Sequence, residues 1–178
     1  MKALYLLSFL SVATVASAGS LTVESPDMAK GVLAPAQFAN VFGCSGGNLS
    51  PEIRWSGAPE GTLSYVVTLY DPDAPTGSGF WHWVAVDIPA DVSSLSSGAG
   101  DDGAKLPKGS YMVRNDAGEA HFLGACPPEG QKHRYVLTVK ALKVAKLPVP
   151  ENATPALVGF VSNMVKLDEA SIVATGAR

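Results

Sequence analysis

Three short segments of this chain carry side chains suited to holding or moving charge. Asp71-Pro72-Asp73-Ala74-Pro75 follows directly on the apolar run Tyr65 to Tyr70, so a strand would deliver Asp71 and Asp73 to one sheet rim, with prolines stiffening the exit. A cis Ala74-Pro75 bond would suit so tight a turn. Phe80-Trp81-His82-Trp83 opens a second apolar run, and the two-residue period of a strand puts His82 on the face opposite Trp81 and Trp83. Cys126-Pro127-Pro128-Glu129-Gly130 leads to His133-Arg134-Tyr135 at the head of a third run, with His133 and Tyr135 on one face and Arg134 on the other. If the three strands are neighbours, two imidazoles, a phenol and the backbone amides of Gly124 to Cys126 surround one cavity. Such groups cradle an oxyanion without a large positive charge.

Each segment alone also has a plainer reading. Aspartates in a turn bond their own backbone, and a single histidine in an aromatic strand is commonly a hydrogen-bonded core residue. A carboxylate beside an anion also needs a reason. Asp71 would accept a hydrogen bond from His82 or His133 and fix its tautomer, hold an amine, or be protonated itself, in which case binding strengthens as pH falls.

Two enzymatic chemistries compete with binding. Gly43-Cys44-Ser45-Gly46-Gly47 fits the G-x-S-x-G pattern of a nucleophile elbow, with Asp71 and then His133 in serine-hydrolase order. An elbow needs a strand before it and a helix after it, and Asn48-Leu49-Ser50-Pro51 is a poor helix start. His82, His133 and one of Asp71 or Asp73 are ligand types that zinc or non-haem iron accepts, yet no HxH, HxD or HExxH pair is present. The reading therefore assigns no catalytic residue, no metal and no cofactor.

The elements that must position these groups are mostly strands. Eighteen glycines and thirteen prolines are scattered along the chain, and the apolar segments between them are short. Tyr65–Tyr70, Trp83–Ile88 and Tyr135–Leu142 are the clearest strands, and their nearly unbroken apolarity places them in the middle of a sheet. One stretch reads as a helix. Thr154 caps it, Pro155 takes its first position, and Leu157, Val158, Val161, Met164 and Val165 share a face. Ser171 to Thr175 would return as a strand, and Ser93 to Lys108 reads as a surface loop.

Residues 1–18 have the build of a cleaved signal peptide: Lys2, an apolar run from Leu4 to Ala16, and the closing Ala16-Ser17-Ala18. Residues 19–178 then form one domain in a periplasmic or secreted protein, without a transmembrane segment after cleavage. The chain carries a formal charge of −3 and has no basic stripe, which argues against nucleic acid and anionic lipid surfaces. Its two cysteines, Cys44 and Cys126, would meet oxidising conditions, so a Cys44–Cys126 disulfide is expected. Asn48-Leu49-Ser50 and Asn152-Ala153-Thr154 are glycosylation sequons in a host that glycosylates exports.

Taken in order, the motifs resemble the phosphatidylethanolamine-binding protein family, in particular its bacterial Raf-kinase-inhibitor-like branch. The matching stretches are Gly47-Asn48-Leu49-Ser50-Pro51, Tyr70 to Gly79, Trp81-His82-Trp83, Arg114-Asn115-Asp116, Pro127-Pro128-Glu129-Gly130 and His133-Arg134-Tyr135. The resemblance implies a two-sheet antiparallel β-sandwich with one C-terminal helix. It implies an anion pocket lined by Asp71, His82, His133, Tyr135 and main chain near Cys126 and Pro128, with Trp81 in an aromatic mouth. The implied ligand is a small anionic or phosphorylated group, and a protease-like or kinase-like protein partner is the alternative. The chain departs from the pattern at Ala117 and at His121-Phe122, where His121 would add an imidazole to the mouth or stand in a solvated loop.

Overall fold

A computed structural model describes residues 20–178, and the expected signal peptide lies outside the described residues. The fold is mainly β. Strands β1 (Thr22–Glu24), β2 (Ile53–Ser56) and β5 (Ser94–Leu95) form a small sheet in the order β1-β2-β5. Strands β3 (Ser64–Asp71), β4 (Phe80–Pro89), β6 (Tyr111–Met112), β7 (Lys132–Leu142) and β8 (Lys166–Ala177) form a larger one in the order β6-β4-β3-β7-β8. All strand pairs in both sheets are antiparallel. Among the described residues one α-helix, α1 (Pro155–Val165), is present, and it runs directly into β8.

The central strands are apolar almost throughout because both of their faces are covered. Toward the small sheet, Val67 and Leu69 of β3, Trp83 and Ala85 of β4, and Leu137 and Val139 of β7 meet Ile53, Trp55 and Leu95. On the other face, Val66, Val84 and Val86 pack with Leu147 and Ala153 of the segment before the helix and with Val158 of α1. Fully burying one Leu or Val side chain contributes about 1.5–3 kcal/mol, so these two layers dominate the stability of the sandwich.

Three expectations need correction. Helix α1 is capped as read, with the Thr154 side chain accepting from the Leu157 amide, and Val158, Val161 and Val165 pack toward the sheet beside the buried Ser162, but the rest of the expected face does not. Leu157 and Met164 are exposed, because the helix rests on the sheet along a narrower stripe than the apolar residues could cover. The 93–108 stretch is also not wholly a surface loop: Leu95 and Ala99 are buried in the core and β5 pairs with β2. Every described peptide bond is trans, including Ala74-Pro75.

Candidate anion-binding site

The site forms at one end of the larger sheet, where β3 ends at Asp71, β4 begins at Phe80 and β7 begins at Lys132. A β-bulge aims the first histidine. Leu69 faces Trp83 and Tyr70 faces Trp81, so His82 is the extra residue on β4. Strict alternation therefore fails there. Trp83 enters the core between the sheets, while Trp81 packs on the opposite face, tilted against Tyr70 with centroids 4.4 Å apart. His82 lies 4.8 Å from the Phe80 ring and 5.3 Å from the Tyr135 ring, and is 5% exposed.

Regular alternation does hold on β7, where His133 and Tyr135 are buried and Arg134 is exposed. His133 Nδ1 donates to Asp71 Oδ2 at 2.7 Å. Asp71 Oδ1 accepts from the Asp73 amide at 2.8 Å, so both carboxylate oxygens are engaged. Asp71 thereby fixes the orientation of the His133 ring. His133 Nε2 lies 2.9 Å from Gln131 Oε1. His82 Nδ1 donates to the Leu123 carbonyl at 2.8 Å, which leaves Nε2 as its unengaged ring nitrogen. Burial holds the His82 imidazole below its ordinary value of 6.5, against weaker opposing pulls from the Leu123 carbonyl, Asp71 and Asp116.

Asp71, His82 and His133 line a cavity of about 210 Å³ together with Phe42, Pro75, Phe80, Leu123, Gly124, Cys126 and Pro128. Pockets for drug-sized ligands run from about 300 Å³ upward, so this cavity suits a small group. Of the amides expected to face a ligand, Gly124 is spent on Asn48 Oδ1 at 2.8 Å and Ala125 on the Gln37 carbonyl at 3.0 Å. The Cys126 amide donates no hydrogen bond among the described residues. Cys44 and Cys126 are joined by the expected disulfide, with Cα atoms 5.9 Å apart. It ties the Phe42 turn to the cavity wall.

The cavity thus gathers Asp71, His82, Cys126, Pro128 and His133 and leaves out four other expected residues. Asp73 faces outward and receives Arg134 Nε at 2.9 Å and Nη2 at 2.6 Å. That guanidinium, with the Arg134 amide, holds the Asp73 carboxyl well below the usual range. Tyr135 lies behind His82 rather than at the cavity surface. Its hydroxyl is buried without a partner, and burial, with Asp71 and Asp73 adding to it, pushes the phenol well up. Trp81 is not at the mouth, because the bulge turns it to the helix-covered face. His121 bonds its neighbour's carbonyl, Phe122 O, at 2.8 Å and does not line the cavity.

Sequence reasoning missed Phe42, Asn48 and Gln131. Asn48 stood within a recognised motif, and its job of accepting from the Gly124 amide is what an Asn between two turns can do. Phe42 and Gln131 gave no signal, since both act from loops whose path the sequence does not fix. Ser45 is exposed in a loop, with no strand leading directly into it and no helix following directly from it. Among the same residues no group of three or more His, Cys, Asp or Glu is placed to hold a metal ion.

The chain belongs to the phosphatidylethanolamine-binding protein family, whose model matches residues 24–177. It is 49% identical over 176 residues to the UPF0098 protein YbcL of Escherichia coli K12, covering 97% of this chain and 96% of that one. It is 47% identical over 135 residues to YbhB of the same organism, covering 76% of this chain and 85% of the relative. The crystal structure of YbcL, described as a new member of the mammalian PEBP family, superposes with a TM-score of 0.83 at 47% identity, covering 89% of this chain and 99% of that one. A Chlamydia trachomatis PEBP homologue shares the fold, with a TM-score of 0.70 at 24% identity, covering 90% and 99%.

Proposed function

We propose that this protein is an exported binding protein that holds a small anionic group, phosphate or a phosphorylated head group, in the cavity at Asp71, His82 and His133. One observation carries the reading: two imidazoles, 5% and 4% exposed, converge on a cavity of about 210 Å³ beside an amide with no partner among the described residues. His82 Nε2 and the Cys126 amide are the free groups, and displacement of the Gln131 amide would add His133 Nε2. The largely apolar remainder of the wall supplies shape.

Catalysis is the weaker reading, since neither histidine hydrogen-bonds a serine, threonine or cysteine in the described residues. A protein partner remains the second use of the same fold. The exposed Phe42, 72% accessible at the cavity rim, favours contact with something beyond the anion. Export, to the periplasm or outside, follows from the leader at residues 1–18 and accords with the disulfide.

Calorimetric titration with phosphate, phosphoethanolamine and ethanol as a neutral control tests this. Saturable binding of the two phosphates, lost in His82→Ala and His133→Ala, is the expected result. Absence of binding by the folded wild-type protein would end the carrier reading in favour of a protein partner.

A further inference from the structure

We infer that the cavity takes its oxyanion in a protonated form, with a hydroxyl of the ligand donating to His82 Nε2. The ligand class is then phosphate monoesters, inorganic phosphate and similar oxyanions that keep one acidic proton near neutral pH. This rests on the anion-binding reading of the same cavity and narrows it.

The first support is tautomeric. A carbonyl oxygen only accepts, so the 2.8 Å contact to Leu123 O puts the single proton of a neutral His82 on Nδ1. Nε2 then offers a lone pair to the cavity, and no described residue supplies it with a donor. A fully ionised oxyanion would set its own lone pairs against that nitrogen. A ligand hydroxyl converts the same approach into a hydrogen bond.

The second support is the balance of charge. The cavity wall contains no Lys or Arg. Arg134 is paired with Asp73, and Arg178 contacts Glu129 and the Phe42 carbonyl. The charged and titratable groups around His82 are Asp71 of β3, His133 and Tyr135 of β7, and Asp116 of the loop after β6. Asp71 is committed to His133 and to the Asp73 amide, and Asp116 accepts from the Trp81 amide at 2.9 Å. The one cation these contacts allow, His133 between Asp71 Oδ2 and Gln131 Oε1, is matched by the Asp71 carboxylate, so nothing among them offers a free counter-charge for a dianion. Burial of His82 favours its neutral form and so acts in the same direction.

Three probes of similar shape separate the possibilities: methyl phosphate, dimethyl phosphate and sulfate, titrated calorimetrically between about pH 5 and pH 8. Methyl phosphate has its second ionisation at about pH 6. Its affinity should fall roughly tenfold per pH unit above that point, as the competent monoanion is depleted. Dimethyl phosphate, a monoanion with no hydroxyl, and sulfate, fully ionised throughout, should bind at least about tenfold more weakly at the acid end. In H82Q, whose amide can also donate, the gap between methyl phosphate and sulfate should narrow. Equal binding of dimethyl phosphate and methyl phosphate, or sulfate affinity that climbs with acid, overturns this inference and leaves anion binding standing. If none of the three binds, both readings fall.

Discussion

Asp71 Oδ2 and His133 Nδ1 lie 2.7 Å apart, on β3 and β7, with each side chain only 4% exposed. The pair spans two neighbouring strands of the larger sheet at the end where they open into the cavity. It joins the shape of the cavity to the integrity of the sheet, because neither group has solvent to fall back on.

Removing Asp71 should therefore cost both stability and binding. Asp71→Ala leaves a buried imidazole donor without an acceptor, a loss of about 1–3 kcal/mol. Asp71→Asn retains an acceptor oxygen and should lose less. Urea denaturation of the two variants checks the order, and the order reversed would mean that His133 does not depend on this bond.

His82 should give the fold an acid-sensitive component. Its folded value is depressed, so the unfolded chain takes up a proton first as pH falls below about 6.5. Its contribution is fully present above that pH and is lost progressively toward the lower folded value. Stability measured stepwise from pH 8 to pH 5 should decline more steeply in the wild type than in His82→Asn, at about one proton's difference.

Asp73 and Arg134 should behave differently from the buried groups. Their two-pronged contact is on the surface, where solvent and salt screen it. The lowered carboxyl value of Asp73 means that its contribution holds above the ordinary carboxylate range and disappears only as pH falls through the folded value. Asp73→Ala should leave phosphate affinity within about twofold of wild type, since the side chain is outside the cavity.

The disulfide should matter more than any surface pair. Cys44 and Cys126 are 82 residues apart in sequence, and closing a loop of that length stabilises by about 4–5 kcal/mol in the chain-entropy model, less any strain. Denaturation with and without reductant should differ by about 2–5 kcal/mol. Reduction should also weaken anion binding, because Cys126 and Phe42 are both part of the cavity wall.

Asn48 tests whether the far loop shapes the site. Its Oδ1 accepts from the Gly124 amide, and the backbone there is so close that a side chain on Gly124 would collide with the Phe38–Ala39 segment. Asn48→Ala should cost about 1–3 kcal/mol by orphaning that amide, and Asn48→Asp, which keeps the acceptor, should cost less.

The large sheet was legible because β3, β4 and β7 are continuous β-branched and aromatic runs, and two-sided burial demands that composition. His133 and Arg134 divided between faces as alternation requires. His82 and Trp81 did not, because a bulge is one extra residue that leaves no mark in residue types. The same limit explains Tyr135, whose face was right but whose depth behind His82 depends on packing. The helix start was readable from Thr154 and Pro155, whereas the exposed Leu157 and Met164 depended on how much of α1 the sheet could cover. Gln131 was invisible, since a glutamine beside a histidine in sequence does not reveal that their side chains will meet.

The most direct measurement is the nitrogen-15 spectrum of the histidine rings during a phosphate titration near pH 6. The account predicts that free His82 is neutral with its proton on Nδ1, and that phosphate shifts its Nε2 resonance saturably while the Nδ1 proton remains in place. A His82 ring that does not respond while phosphate is bound, or one already protonated on both nitrogens in the free protein, would contradict it.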